Sequence, residues 1–267
     1  MPDPSTSMYC LRAGKGAPPF VFVHGFACAH ADWRAQIDHF SKNHLVLACD
    51  LRGHGRTPGA PGDCSIERYG ADVAELLGTL DSPVVLVGHS MGCRVVLEAN
   101  RLAPQRVAAI GLVDGSRMAA GDPQQAGEAM RAAIEFAGFK IFADALFRQM
   151  FLEPSASHAV RIIDRAKRLP AEVGAALFPS MARWDAGKFV SAVAAVRCPL
   201  LAIQSTSMSP ERKRTPMRAG QTSPWLDLLR EHVRGVRIEI LPGLGHFPQI
   251  EAADRVNALL DTLTPQG

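Results

Sequence analysis

Short apolar runs recur along the chain at intervals that suit buried strands. Six of them, rich in Val, Ile, Leu and Phe, occupy residues 20–23, 45–49, 84–87, 109–113, 200–203 and 236–241. Between them, apolar positions follow the spacing of amphipathic helices at residues 32–41, 65–80, 90–102, 224–233 and 252–263. Such alternation is typical of a parallel sheet with helices on both faces. The pattern therefore predicts an α/β fold with right-handed crossovers.

The strand rhythm stops between residues 115 and 197, where the pattern predicts several amphipathic helices. We expect a core made of residues 1–114 and 198–267 and an inserted helical cap at residues 115–197. The cap is rich in aromatic and methionine side chains, which either pack its helices together or line a substrate pocket. They are Phe136, Phe139, Phe142, Phe147, Met150, Phe151, Phe178, Met181 and Trp184.

The sequence Gly-His-Ser-Met-Gly at residues 88–92 joins the third apolar run to a helical pattern. A serine on a sharp strand-to-helix turn needs glycine two positions away on either side, because neighbouring backbones pass close to it. The turn presents Ser90 at a helix N-terminus, where the helix dipole and the Met91 N–H stabilise a negatively charged oxygen. We predict Ser90 as a nucleophile and Met91 as one donor of its oxyanion hole.

A candidate base follows the last apolar run. His246 stands in a glycine-rich turn at residues 241–248, directly before the C-terminal helical pattern. The carboxyl ends of parallel strands meet at one edge of a sheet, so Ser90 and His246 are expected to lie together. A histidine accepts and returns a proton near neutral pH. The alternative is an ordinary histidine on a surface loop.

The sequence offers two candidates for the acid. Asp114 follows the run at 109–113 and keeps the chain order Ser, Asp, His, although an aspartate before a glycine is also typical of a turn. Glu211, on the loop after residue 203, is the alternative acid. The amide of Phe26, in the turn after the first run, is predicted as the second oxyanion donor, and His24 as a structural brace.

Composition and charge limit the classes of function that fit this chain. The chain has 267 residues, 47% of them hydrophobic, which is enough for a full core. A net charge of +3 is too small to indicate nucleic-acid binding. Four basic residues cluster at residues 211–218, where we expect a solvated loop, although such a cluster could also attract anionic substrates. We expect a small-molecule substrate.

The six cysteines show neither a metal-binding spacing nor a disulfide framework, so we expect no metal and reduced thiols. Residues 1–7 lack the charged start and apolar stretch of a signal peptide, and no apolar run reaches transmembrane length. From these features we predict a cytoplasmic protein without a membrane or nucleic-acid partner. Nothing in the sequence calls for an organic cofactor.

Four motifs together resemble the α/β-hydrolase fold superfamily. They are the His-Gly-Phe turn at 24–26, the glycine-rich turn at 50–57, the serine turn at 88–92 and the Gly-His pair at 245–246. The resemblance covers nearly the whole chain outside the cap. It implies an α/β-hydrolase fold and a serine esterase or lactonase that needs no cofactor.

The chain departs from that resemblance at the acid. Many relatives carry it after the strand that follows the cap, but residues 202–210 contain no carboxylate, and Ser209 and Pro210 lie where an Asp-Pro pair is expected. Asp114 matches relatives whose acid follows the preceding strand. Two other functions stay open: a cofactor-independent dioxygenase or carbon–carbon bond-cleaving enzyme that uses His246 and Asp114, and a ligand-binding protein without catalysis.

Overall fold

The computed structural model describes residues 8–209 and 211–264. Residues 1–7, which lack a signal-peptide pattern, Pro210 and residues 265–267 lie outside the described residues. Within them the strands are β1 (Cys10–Ala13), β2 (Phe20–Val23), β3 (Val46–Cys49), β4 (Val84–His89), β5 (Val107–Val113), β6 (Leu200–Gln204), β7 (Thr206–Met208), β8 (Arg214–Pro216) and β9 (Arg237–Ile240).

Seven of these strands form one sheet in the order β1-β3-β2-β4-β5-β6-β9. Every neighbouring pair is parallel except β1 with β3. The predicted, mostly parallel sheet is thus confirmed. The strand β1 was not predicted, because it is short, lies at the sheet edge and carries no continuous apolar run.

Helices cover the sheet on both faces. Those outside the β5–β6 connection are α1 (Arg34–Phe40), α2 (Ile66–Gly78), α3 (Met91–Leu102), α9 (Pro224–His232), α10 (Pro248–Glu251) and α11 (Ala253–Asp261). The connection from β5 to β6 contains α4 (Pro123–Ala137), α5 (Phe139–Arg148), α6 (Ser157–Lys167), α7 (Ala171–Gly187) and α8 (Phe189–Ala194). No helix in the described ranges is both long enough and apolar enough to cross a membrane.

The core consists of two clusters because successive strand residues point to opposite faces of the sheet. In β2, Phe20 belongs to the cluster that contains Phe40 of α1. Its neighbour Val21 belongs to the other cluster, with Val73 of α2. Both faces of the central strands are therefore buried, which explains why their sequences are continuously apolar.

The basic segment at residues 211–218 differs from the solvated loop that its composition predicts. Strands β7 and β8 pair as an antiparallel hairpin, with Met208 opposite Arg214. The Arg214 side chain is only 7% exposed. One of the four basic residues therefore points into the protein.

Candidate active site

Ser90 lies on a strained turn between β4 and α3, with φ at 54° and ψ at −114°. A Cβ atom on Gly88 would lie 2.3 Å from the carbonyl oxygen of Gly92. One on Gly92 would lie 2.3 Å from the carbonyl oxygen of Val23 in β2. The two glycines are thus required by close backbone contacts, and the turn holds the serine in a conformation that L-residues rarely adopt.

A continuous hydrogen-bonded chain joins the three predicted catalytic side chains. The Ser90 hydroxyl donates to His246 Nε2 over 2.8 Å. His246 Nδ1 donates to Asp114 Oδ2 over 2.6 Å. The aspartate and histidine side chains are 0% and 1% exposed. This is the geometry of a nucleophile, a base and an acid that orients the base.

The turn after β6 supplies hydrogen-bond donors to Asp114. The backbone N–H groups of Ser205 and Thr206 each donate to Asp114 Oδ1 over 2.8 Å, and the Thr206 hydroxyl donates to Oδ2. Burial alone raises the pKa of Asp114, but the hydrogen bond and charge of His246, the positive charge of Arg214 and the hydrogen bond from Thr206 hold it below its ordinary value. The carboxyl group is therefore ionised.

Glu211, the alternative acid, is exposed on the turn of the β7–β8 hairpin. Both ring nitrogens of His246 already have partners, Asp114 on one side and Ser90 on the other. The structure thus brings Asp114, and not Glu211, to the histidine.

His246 is neutral over most of the physiological pH range. Burial lowers its pKa to about 4, and the positive charge of Arg214 acts in the same direction, while the hydrogen bond to Asp114 opposes both. A neutral imidazole with its proton on Nδ1 has a free lone pair on Nε2. The ring is therefore ready to accept the proton of Ser90.

The predicted oxyanion donors lie beside the serine. The backbone of Gly25, directly before Phe26, comes so close that a Cβ on it would lie 3.2 Å from the Ser90 Cβ. Within the described part of the chain, neither the Phe26 nor the Met91 N–H donates a hydrogen bond. The N–H of Met91 is the first of α3, which leaves it without an intrahelical acceptor. Both amides are thus available to a substrate oxygen.

Two histidines brace the turn that carries Phe26. His24 Nδ1 donates to the carbonyl oxygen of Gly25, and its Nε2 accepts from the N–H of Leu51 over 3.0 Å. His54 Nε2 accepts from the N–H of Ala27 over 3.1 Å. These bonds fit the structural role predicted for His24.

Two further residues hold the loop of His246, and sequence reasoning missed both. His89 Nε2 donates to the carbonyl oxygen of His246 over 2.7 Å. The N–H of His246 in turn donates to the carbonyl oxygen of Met150, two residues after the end of α5, over 2.6 Å. The only sequence signal for His89 is its place next to the serine, and the Met150 contact depends on backbone that no side-chain pattern reveals.

A cavity of about 210 Å³ opens onto Ser90 and His246. Five of the nine aromatic and methionine side chains singled out in the sequence line it: Phe142, Phe147, Met150, Phe178 and Met181. Phe136, in contrast, is 96% exposed. The cavity wall is mostly apolar and suits a small organic molecule.

Arg94 and Arg214 add positive charge to this apolar wall. The guanidinium of Arg94 forms two short hydrogen bonds, of 2.7 and 2.6 Å, with the buried carboxylate of Asp185 in α7. That pair is electrically balanced and ties α3 to α7. No group of three or more His, Cys, Asp or Glu side chains within residues 8–209 and 211–264 is arranged to hold a metal ion.

The family model that describes the alpha/beta hydrolase family matches residues 20–259. The chain belongs to the alpha/beta hydrolase family. The fold and the resemblance predicted from the sequence are thereby confirmed.

Several relatives of this alpha/beta hydrolase have described activities. It is 31% identical over 106 residues to an (E)-2-((N-methylformamido)methylene)succinate hydrolase of Acinetobacter baylyi, covering 39% of this chain and 40% of that protein. It is 32% identical over 130 residues to a pimeloyl-acyl-carrier protein methyl ester esterase of Methylococcus capsulatus, covering 49% of each. The matched part of the chain thus spans less than half the length of these curated relatives.

Solved structures resemble nearly the whole chain. An enol-lactonase from Burkholderia xenovorans superposes with a TM-score of 0.75 and 22% identity, covering 96% of this chain and 95% of that one. A thermophilic esterase from Thermogutta terrifontis gives a TM-score of 0.76 and 24% identity, covering 96% and 92%. At this level of identity the likeness shows the fold.

Proposed function

We propose that the protein is a serine hydrolase that cleaves a carboxylic ester or lactone of a small, largely apolar molecule through an acyl-enzyme intermediate. The observation that carries the proposal is the unbroken hydrogen-bonded chain from Ser90 through His246 to Asp114. An esterase among the curated relatives and a lactonase among the similar folds support the choice of bond.

In the first half of the reaction, Ser90 Oγ attacks the substrate carbonyl carbon while His246 Nε2 takes the hydroxyl proton. The carbonyl oxygen becomes an oxyanion, and the amides of Phe26 and Met91 donate to it. Loss of one such donor typically costs about 2.7–4 kcal/mol of transition-state stabilisation. The bond to the leaving alkoxide then breaks, and His246 returns the proton to that oxygen.

In the second half, water replaces the leaving alcohol. His246 accepts a proton from the water, whose oxygen attacks the acyl carbon, and the bond to Ser90 Oγ breaks as the serine regains its proton. Asp114 stays ionised throughout and stabilises the imidazolium that forms in each half. The products are a carboxylic acid and an alcohol, or a hydroxy acid when the substrate is a lactone.

The test is hydrolysis of p-nitrophenyl acetate and butyrate by the wild type and by Ser90→Ala, Asp114→Asn and Glu211→Gln. We expect a burst of p-nitrophenol and then steady turnover in the wild type, and loss of both in Ser90→Ala. Asp114→Asn should lose most of its activity, and Glu211→Gln should match the wild type.

Other outcomes would overturn the proposal. Activity that survives Ser90→Ala would contradict an acyl-enzyme and direct attention to proton abstraction by His246 and Asp114, as in a cofactor-independent dioxygenase. Absence of turnover with every ester and lactone supplied would favour a ligand-binding protein of the same fold.

A further inference from the structure

Arg214 is a buried cation beside the catalytic acid, with which it forms a long ion pair of 3.5 Å. Its side chain is 7% exposed and lines the cavity wall. Nη1 donates to the Thr206 hydroxyl over 2.7 Å, and Nη2 lies 3.4 Å from the Ser116 hydroxyl. Among the described residues, the guanidinium has one further hydrogen-bond partner, Asp114, at 3.5 Å. Two of its five N–H donors therefore have no partner among the described residues.

The ion pair with Asp114 is long, and its carboxylate is shared with His246. Asp114 already accepts four shorter hydrogen bonds, from two backbone amides, the Thr206 hydroxyl and His246. The guanidinium stands at the outer limit of hydrogen-bond distance from it. The one carboxylate of Asp114 thus lies beside both Arg214 and the imidazolium that forms on His246, and a second anion on Arg214 would balance the remaining positive charge.

Other side chains of the cavity wall add to the positive charge of Arg214. Arg94 is balanced by Asp185. Arg212 lies at the exposed end of the wall, and among the described residues its side chain has one hydrogen-bond contact, from Nη1 to the sulfur of Met130. Among the described residues that line the cavity there is no Asp or Glu. A ligand in this cavity therefore faces Arg212 and Arg214, while Asp114, the carboxylate paired with Arg214, does not itself line the cavity.

On this basis we infer that the substrate carries a carboxylate in addition to the bond that is cleaved, and that Arg214 binds that carboxylate. The inference rests on the proposed ester or lactone hydrolysis and names its substrate class: half-esters of dicarboxylic acids, or lactones with a free carboxylate. The planar guanidinium matches a carboxylate with two parallel hydrogen bonds. The apolar remainder of the cavity would hold the carbon chain between the two groups.

Binding of a carboxylate also removes an obstacle to catalysis. The positive charge of Arg214 opposes the protonation of His246 that each half of the reaction requires. A substrate carboxylate on Arg214 neutralises that charge at the moment of reaction. Substrates with the carboxylate should thus react faster, as well as bind more tightly, than uncharged ones.

The test compares monoethyl succinate, glutarate and adipate with neutral esters of the same shape, in which an isopropyl group replaces the carboxylate. These are ethyl 4-methylpentanoate, 5-methylhexanoate and 6-methylheptanoate. Ethanol release gives kcat and KM for each. We expect the wild type to prefer at least one half-ester over its neutral match by about 10- to 100-fold in kcat/KM, the range of a charge-assisted hydrogen bond.

Variants assign the preference to one side chain. In Arg214→Gln the ratio of kcat/KM between half-ester and neutral ester should fall to within about threefold of unity, and Arg214→Lys should retain part of it. Lys213→Gln is the matched control, because it removes the same charge from the adjacent, exposed position outside the cavity. It should keep the wild-type ratio.

The outcomes separate this inference from the proposed function. If the wild type hydrolyses all three half-esters no better than their neutral matches, the inference is overturned, while the proposed esterase activity stands. This comparison needs no variant. A preference that persists in Arg214→Gln would also overturn it. Failure to hydrolyse any ester, p-nitrophenyl butyrate included, would overturn the proposed function itself.

Discussion

Replacement of Asp114 by asparagine should move the imidazole proton of His246 from Nδ1 to Nε2 while it keeps the shape of the site. The N–H groups of Ser205 and Thr206 both point at Asp114 Oδ1. The asparagine must place its carbonyl oxygen there, because an NH₂ group would face two donors. Its NH₂ group therefore faces His246 Nδ1, which must then act as an acceptor. The imidazole proton moves to Nε2, where it points at Ser90.

The size of the effect follows from this change of tautomer. A histidine with its proton on Nε2 cannot accept the proton of Ser90, and it also loses the negative charge that stabilises the imidazolium. A wrong tautomer in a site of this kind lowers kcat by about 10⁴-fold, which corresponds to roughly 5.5 kcal/mol of activation free energy.

The assay is kcat and KM with p-nitrophenyl butyrate, with urea unfolding to show that Asp114→Asn is folded. We expect kcat to fall and KM to change little, since Asp114 does not line the cavity. Glu211→Gln removes a carboxylate that is exposed and should serve as the matched control. A folded Asp114→Asn protein with a kcat within about tenfold of the wild type would refute the assigned role.

Three other predictions concern pH and packing. Because burial lowers the pKa of His246 to about 4, kcat/KM for a neutral ester should fall only well below pH 6.5, and an acid limb centred at pH 6.5 would contradict this. Asp185→Ala leaves Arg94 buried without its carboxylate and should lower the free energy of unfolding in urea by about 3–5 kcal/mol; a loss below about 1 kcal/mol would count against the pair. Gly92→Ala places a Cβ 2.3 Å from the Val23 carbonyl oxygen and should cost about 1–3 kcal/mol and slow ester hydrolysis, whereas wild-type stability and rate would show that the turn tolerates a side chain.

The sequence predicts the serine and the histidine because their signals are local. Close backbone contacts demand glycine around Ser90, and a strand end with a glycine turn carries His246. Asp114 follows from topology, since β4, β5 and β6 are neighbours and parallel, so their carboxyl ends lie side by side. The donors of Ser205 and Thr206 belong to backbone and hydroxyl groups that have no sequence pattern of their own.

The wall of the cavity was less predictable. The composition of residues 211–218 predicts a segment that is exposed to solvent. Arg214 is nevertheless buried, on the hairpin that β7 and β8 form. These two strands are short and carry no apolar run that would reveal them in the sequence. In the β5–β6 connection, Phe136 is exposed while Phe142 lines the cavity. Spacing places both on amphipathic helices, but the direction in which each helix faces depends on its packing against neighbouring helices, chiefly α7 for α4 and α6 for α5.

Covalent labelling of Ser90 tests the central claim most directly. The protein would be treated with a p-nitrophenyl alkylphosphonate, which a nucleophilic serine attacks with release of p-nitrophenol. We expect one equivalent of p-nitrophenol per active chain and a phosphonyl group on the peptide that contains Ser90, both absent in Ser90→Ala. Continued ester turnover in a protein that acquires no label, or label only at another residue, would contradict a serine acyl-enzyme.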